Sequence, residues 1–166
     1  MAKANDIIKI AEKEIGVTEY PPNSNNVKYN TWYYGREVSG SNYAWCCVFI
    51  EWIFRDTGLL KKTGRCTVLM DWFKQKGKYT TTPHVGDLVF YNFDKKKDVN
   101  TAKHIGIVVE VGNGYVYSIE GNTSADSKGS QDNGGMVARR KRNLSSIVGF
   151  GMDDVFSDYK CERIRV

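Results

Sequence analysis

The stretch HIGIVVEVGNGYVYSIEGN, residues 104–122, decides the fold. Its two halves alternate along the chain with the period of strands, around a glycine-rich break at Gly112-Asn113-Gly114. In the first half Ile105, Ile107, Val109 and Val111 share one face, and His104, Gly106, Val108 and Glu110 share the other. In the second half Tyr115, Tyr117 and Ile119 share a face, with Val116, Ser118 and Glu120 opposite. Side chains directly opposed in an antiparallel pair lie on the same face. Matching the greasier faces pairs Val111 with Tyr115, Val109 with Tyr117 and Ile107 with Ile119. The connection is then residues 112–114, a common hairpin length with glycine available for positive φ. Continued outward, this register sets Gly106 against Glu120 and His104 against Asn122, so His104, Glu120 and Asn122 converge on one sheet face. The competing reading is a two-residue turn at Asn113-Gly114, which shifts the register by one and sends Glu120 to the wrong face. The longer connection is preferred because the apolar pattern covers more residues than the turn signal.

Working outward, Gly86-Asp87-Leu88-Val89-Phe90-Tyr91 reads as a strand before the hairpin, and Lys95-Lys96-Lys97 as a solvated loop. After the hairpin a polar stretch, 122–135, leads to strands at 136–141 and about 146–151. Before Pro83 the pattern is helical. Residues 5–16 place Ile7, Ala11 and Ile15 on one stripe, with Asn5 or Asp6 to cap the start and Gly16 to stop it. A second helix over 44–57 is apolar around most of its girth and is therefore expected to be central and buried. A third covers about 66–76, ending at Gly77. Residues 21–26 are a loop by composition, and 27–43 are rich in Tyr, Trp, Gly and Ser without a period. Helices first and antiparallel strands second predict an α+β domain. No repeat or linker divides residues 1–166, so a single domain is expected.

Composition fits a globular chain, with 41% hydrophobic and 26% charged residues. No apolar run has the length of a membrane span, and the N-terminus lacks the apolar core of a secretion signal. The net charge of +5 suits either a polyanionic partner or simple solubility. No basic helix or aromatic-basic nucleic-acid motif is present, so neither nucleic acid nor membrane is an expected partner. The cysteines are Cys46, Cys47, Cys66 and Cys161, with no Cys-x-x-Cys pair and only two histidines. That pattern argues against a disulfide framework and against a structural zinc.

A cysteine hydrolase needs a thiolate, a histidine to activate it and a group that orients the histidine. Cys46 falls at the start of the buried helix, where free N–H groups and the helix dipole are expected to lower its pKa. His104 sits on the polar face of its strand, and Glu120 or Asn122 can accept from its ring N–H. Each has a plain alternative: a small core residue for the cysteine, a structural ring for the histidine, a surface carboxylate for Glu120. Their convergence in the hairpin is what favours chemistry.

Tyr43-Ala44-Trp45-Cys46-Cys47-Val48-Phe49-Ile50-Glu51-Trp52 resembles the nucleophile segment of the CHAP family, the cysteine, histidine-dependent amidohydrolases and peptidases. Val85-Gly86-Asp87-Leu88-Val89-Phe90, His104-Ile105-Gly106-Ile107-Val108-Val109 and Ile119-Glu120-Gly121-Asn122-Thr123 are similar to the family's later blocks. Ile15-Gly16-Val17-Thr18-Glu19-Tyr20-Pro21 and Ser24-Asn25 resemble phage endolysins of this type. The blocks keep the family's order over roughly 10–150. The resemblance implies a papain-like (NlpC/P60-like) fold with the N-terminal helices on an antiparallel sheet. It also implies cleavage of a peptidoglycan amide bond, by an N-acetylmuramoyl-L-alanine amidase or an endopeptidase. By the same resemblance Cys46 is the nucleophile, His104 the base, Glu120 the orienter and Asn122 an auxiliary polar group, the last two exchangeable; Cys47 is packing. Tyr43, Trp45, Trp32 and Tyr33 are the expected groove-lining aromatics. Some members bind calcium through an acidic loop before the nucleophile. Val38-Ser39-Gly40-Ser41-Asn42-Tyr43 lacks that series, so no metal or other cofactor is expected. The expected partner is bacterial peptidoglycan, reached by a monomer made in the host cytoplasm and acting after release. No separate wall-binding domain is visible. A non-catalytic wall-binding module and an acyltransferase on the same fold are the alternatives.

Overall fold

The computed structural model describes residues 4–156. Four helices come first: α1 (Ala4–Glu14), α2 (Lys28–Tyr34), α3 (Cys46–Ile53) and α4 (Cys66–Gln75). Six strands follow: β1 (Tyr79–Thr80), β2 (Leu88–Tyr91), β3 (His104–Gly112), β4 (Tyr115–Thr123), β5 (Met136–Asn143) and β6 (Ile147–Gly151). They form one antiparallel sheet in the order β1-β6-β2-β3-β4-β5. This is the α+β arrangement expected from the sequence.

Helix α3 is the hub. Every side chain from Cys46 to Ile53 except Trp52 is buried, which its nearly all-apolar girth requires. It is shorter than the sequence suggested: it begins at Cys46 and stops at Ile53, and turns carry the chain to Thr57. Its companions in the helix-side core include Leu69, Met70 and Phe73 from α4 and Ile105, Ile107 and Ile119 from the hairpin. Gly121 lets β4 lie directly under α3, since a Cβ there would stand 2.5 Å from Phe49 Cβ. A second, smaller core of Val89, Tyr91, Val108, Val116, Ile147 and Phe150 covers the other face of the sheet.

Helix α2 was not legible in the sequence. Its inward side carries Asn30 beside Tyr29, so no apolar stripe marks it. Asn30 is buried because its amide donates to the Asn25 and Tyr43 carbonyls at 2.9 and 2.8 Å, tying the 21–26 loop to the approach to α3.

The β3–β4 hairpin combines both registers considered above. At the tip Val111 pairs with Val116 and Gly112 with Tyr115, so the turn is the two-residue Asn113-Gly114, not 112–114. At the base Ile107 pairs with Ile119, as the apolar pattern demands. A β-bulge between Val108 and Glu110 absorbs the one-residue difference. The turn obeys local chemistry, the base obeys burial, and Glu120 is kept on the His104 face.

Candidate active site

Cys46 opens α3, with Trp45 as the residue before the first turn. His104 opens β3, where it pairs with Tyr91 of β2. Both are buried, and His104 is fully so. His104 Nε2 lies 2.7 Å from Glu120 Oε1. A carboxylate can only accept, so Nε2 carries a hydrogen, and once the ring is neutral Nδ1 is the nitrogen with the lone pair. Nδ1 is buried and has no hydrogen-bond partner. The Cys46 thiol is the neighbour that interacts electrostatically with this ring from outside the sheet.

The sheet positions Glu120 through two features. Gly106, between His104 and the body of β3, leaves the space that Glu120 crosses; a Cβ there would meet Glu120 Cγ at 2.8 Å and Ser118 Oγ at 2.9 Å. Ser118 then donates to Glu120 Oε2 at 2.6 Å, and Arg142 of β5 donates from Nε to Oε2 at 2.9 Å and from Nη2 to Oε1 at 2.6 Å. Burial works against the charged forms of both partners. The attraction between them overcomes it, pushing His104 up to about 9 and, with Arg142, Glu120 down to about 2.

The thiol itself is not lowered by its helix terminus, contrary to expectation. Cys66, at the start of α4, places its Sγ 3.6 Å from Cys46 Sγ. This neighbour and burial push the Cys46 pKa up, while His104 pulls it down. Near neutral pH the two shifts together leave a neutral thiol beside a protonated ring, and the ring must lose its proton before it can accept one from Cys46. Cys47 is fully buried and donates to the Thr63 carbonyl at 3.2 Å. Cys161 lies outside the described residues.

Asn122 is not brought into this group. The β4–β5 pairing is irregular between Glu120 and Thr123, and Asn122 takes φ 55°. The alternation is broken, so its side chain leaves the Glu120 face. Its Oδ1 accepts from Gly135 N–H at 3.0 Å and its Nδ2 donates to Asn133 at 3.2 Å, holding the 122–135 loop. The left-handed conformation suits asparagine, which tolerates it better than most residues.

The expected groove aromatics divide. Trp45 is fully buried and donates from Nε1 to Glu19 Oε2 at 3.1 Å, so it belongs to the core beside Cys46 and lines no groove. Glu19 in turn accepts from Asn25 N–H at 3.1 Å, which accounts for the N-terminal Glu19 and Asn25 blocks as scaffold under α3. Trp32 is exposed, and Tyr33 and Tyr43 are half-buried. With Tyr34 they form a run of edge-on rings: Trp32–Tyr33 at 6.2 Å, Tyr33–Tyr34 at 4.9 Å and Tyr34–Tyr43 at 5.0 Å. Trp32 also borders an open cleft of about 720 Å³ with Val17, Tyr20 and Glu37; neither Cys46 nor His104 lines it. Among the described residues no group of three or more His, Cys, Asp or Glu is placed to hold a metal ion.

Arg142 is the residue that sequence reasoning missed. Arg139-Arg140-Lys141-Arg142 looks like a solvated basic run, but in a strand alternate side chains face inward. Arg140 and Arg142 are the buried pair. A carboxylate on the neighbouring strand was the signal that could have found this, since a buried arginine needs one.

No curated protein sequence matches the chain. Its fold is similar to that of the endolysin LysIME-EF1, at 17% identity and a TM-score of 0.57 over 90% of this chain and 63% of that one. It is also similar to Ly7917, at 13% identity and a TM-score of 0.51 over 91% of this chain and 62% of that one. The chain thus spans less than two thirds of the length of these neighbours. The model of the CHAP domain family matches residues 38–122, just over half of the chain and the segment that runs from the approach to Cys46 through His104 and Glu120. On the strength of that match and of the shared architecture, the chain belongs to the CHAP domain family.

Proposed function

We propose that this chain is the catalytic domain of a peptidoglycan hydrolase of the endolysin kind, with Cys46 as nucleophile and His104 as base. The observation that carries the reading is the ring of His104, fixed at Nε2 by Glu120 and left with an unpaired, buried Nδ1 beside the Cys46 thiol. Family membership and the endolysin fold of a neighbour support the choice of substrate.

In this mechanism Nδ1 takes the Cys46 proton and Sγ attacks the carbonyl carbon of a peptidoglycan amide. Backbone N–H groups at the open start of α3 face the developing oxyanion. The imidazolium, steadied by Glu120, protonates the leaving amine. Water activated by the same ring then releases the acyl group and restores the thiol. Trp32, Tyr33 and Tyr43 offer aromatic faces for the glycan or stem peptide, and the 122–135 loop held by Asn122 is a second place for specificity.

Two bonds suit this chemistry: the lactyl–alanine amide, which makes the enzyme an N-acetylmuramoyl-L-alanine amidase, and a peptide bond of the stem or bridge, which makes it an endopeptidase. Mass spectrometry of fragments from purified peptidoglycan distinguishes them by the new amino terminus. Cys46→Ala and His104→Ala are each expected to reduce release by about a thousandfold or more, and Cys47→Ser to leave it near wild type. Undiminished cleavage by folded Cys46→Ala would overturn Cys46 as the nucleophile, and peptidoglycan binding without any cleavage by the wild type would favour a binding module. Products capped by an added amine in place of a free acid would show an acyltransferase.

A further inference from the structure

The carboxylate behind His104 is saturated. Glu120 Oε1 accepts from His104 and from Arg142 Nη2; Oε2 accepts from Ser118 and from Arg142 Nε. An ionised carboxylate has about four acceptor positions, so none is left over. Arg142 is itself fixed from every other side. Its Nη1 donates to Gln131 Oε1 at 2.7 Å and its Nη2 also reaches Thr123 Oγ1 at 3.2 Å. Its guanidinium lies 4.9 Å from the centre of the Phe93 ring and 5.6 Å from that of Tyr91, and both rings also flank His104 at 5.9 Å. The Tyr91 hydroxyl is 2.7 Å from Ser118 Oγ, closing the network.

We propose that Arg142 is a positioning residue of the active site: its two-pronged hold on Glu120 fixes the carboxylate, and through it the tautomer and the plane of the His104 ring. The proposal rests on reading Cys46 and His104 as the reacting pair. The geometry assigns Arg142 two tasks. One is orientation, because parallel N–H donors from a planar fork admit one carboxylate direction. The other is charge. When the imidazolium gives up its proton, Glu120 remains as a buried carboxylate, and Arg142 is the cation that stays with it. Without Arg142 the His104–Glu120 pair holds its proton to higher pH.

The two tasks separate in Arg142→Lys, which keeps the charge and loses the fork, and Arg142→Met, which loses both. In Arg142→Met the kcat on purified peptidoglycan is expected to fall about a hundredfold, the cost of a misplaced base. The lower limb of its pH profile is expected to move up by roughly one pH unit. Arg142→Lys is expected to lose kcat about tenfold with KM and the limb unchanged. The downfield proton resonance of the His104 ring N–H, read by NMR in the full chain, is expected to broaden or move upfield in both variants. A folded Arg142→Met with wild-type kcat and pH limb overturns the proposal. If that variant does not fold, Arg142→Lys decides: wild-type kcat with an unmoved ring N–H resonance overturns it. Should Cys46→Ala remain active, the catalytic reading fails by itself, and the NMR readout still reports whether Arg142 holds the His104–Glu120 pair.

Discussion

At the scale of single residues the site is a proton balance. His104 is held up to about 9 chiefly by Glu120, against its burial, and Cys46 is pushed above its usual range by Cys66 and by burial. A ring that is protonated cannot accept the thiol proton. The free enzyme is therefore expected to gain kcat/KM as pH rises from 7 toward 9, and a flat or falling profile over that range would contradict His104 as the base. Glu120→Gln removes the ion pair and offers an amide that can present either N or O to the ring. Its kcat is expected to drop by about two to four orders of magnitude, checked against Glu120→Asp, which should recover part of it. His104 and Glu120 were legible as a pair because alternation and hairpin register are strong constraints, whereas Cys46 was read from its place at the start of a buried helix. Trp45 was misread because a large aromatic next to a nucleophile suggests a groove, whereas its indole N–H had a buried carboxylate, Glu19, waiting from a distant segment. Arg142 was invisible for a related reason: strand periodicity says that one basic face turns inward, but not which carboxylate receives it.

The hairpin shows how elements reconcile competing signals. Asn113-Gly114 favours a two-residue turn, and the apolar faces of β3 and β4 favour the register that pairs Ile107 with Ile119. A bulge satisfies both, and neither signal alone predicts it. A similar irregularity between Glu120 and Thr123 removed Asn122 from the face where strict alternation had placed it. Elements without a periodic signature were the ones missed: α2, whose buried side includes the hydrogen-bonded Asn30, and β1, only two residues long. The glycines of the hairpin carry a prediction at this scale. Gly106 gives Glu120 its path, and an added Cβ would collide with Glu120 Cγ and Ser118 at 2.8–3.0 Å. Gly106→Ala is expected to cost about 1–3 kcal/mol in stability. Its larger effect should be on kcat, by displacing Glu120 from His104. Chemical denaturation and kinetics on the same sample test this, and a variant destabilised but fully active would show that Glu120 can reach the ring by another path.

For the whole molecule, the ion pair that organises the site also couples stability to pH. The folded His104 pKa, about 9, lies above the ordinary 6.5, so its contribution is complete below 6.5 and is lost as pH rises through 9. The folded Glu120 pKa, about 2, lies below the ordinary 4.5, so its contribution is complete above 4.5 and is lost as pH falls through 2. Both describe one interaction, counted once, and it is at full strength between 4.5 and 6.5. Above that window loss of the ring proton has opposite consequences: it creates the base that the proposed chemistry needs and it weakens the junction of β3, β4 and β5 beneath α3. Activity and thermal stability are therefore expected to run in opposite directions between pH 6.5 and 9. The melting temperature of the wild type should decline across that interval, and the decline should be largely absent in Glu120→Gln, where no carboxylate holds the imidazolium. Equal slopes for the two proteins would mean that the His104–Glu120 ion pair does not set the pH dependence of stability.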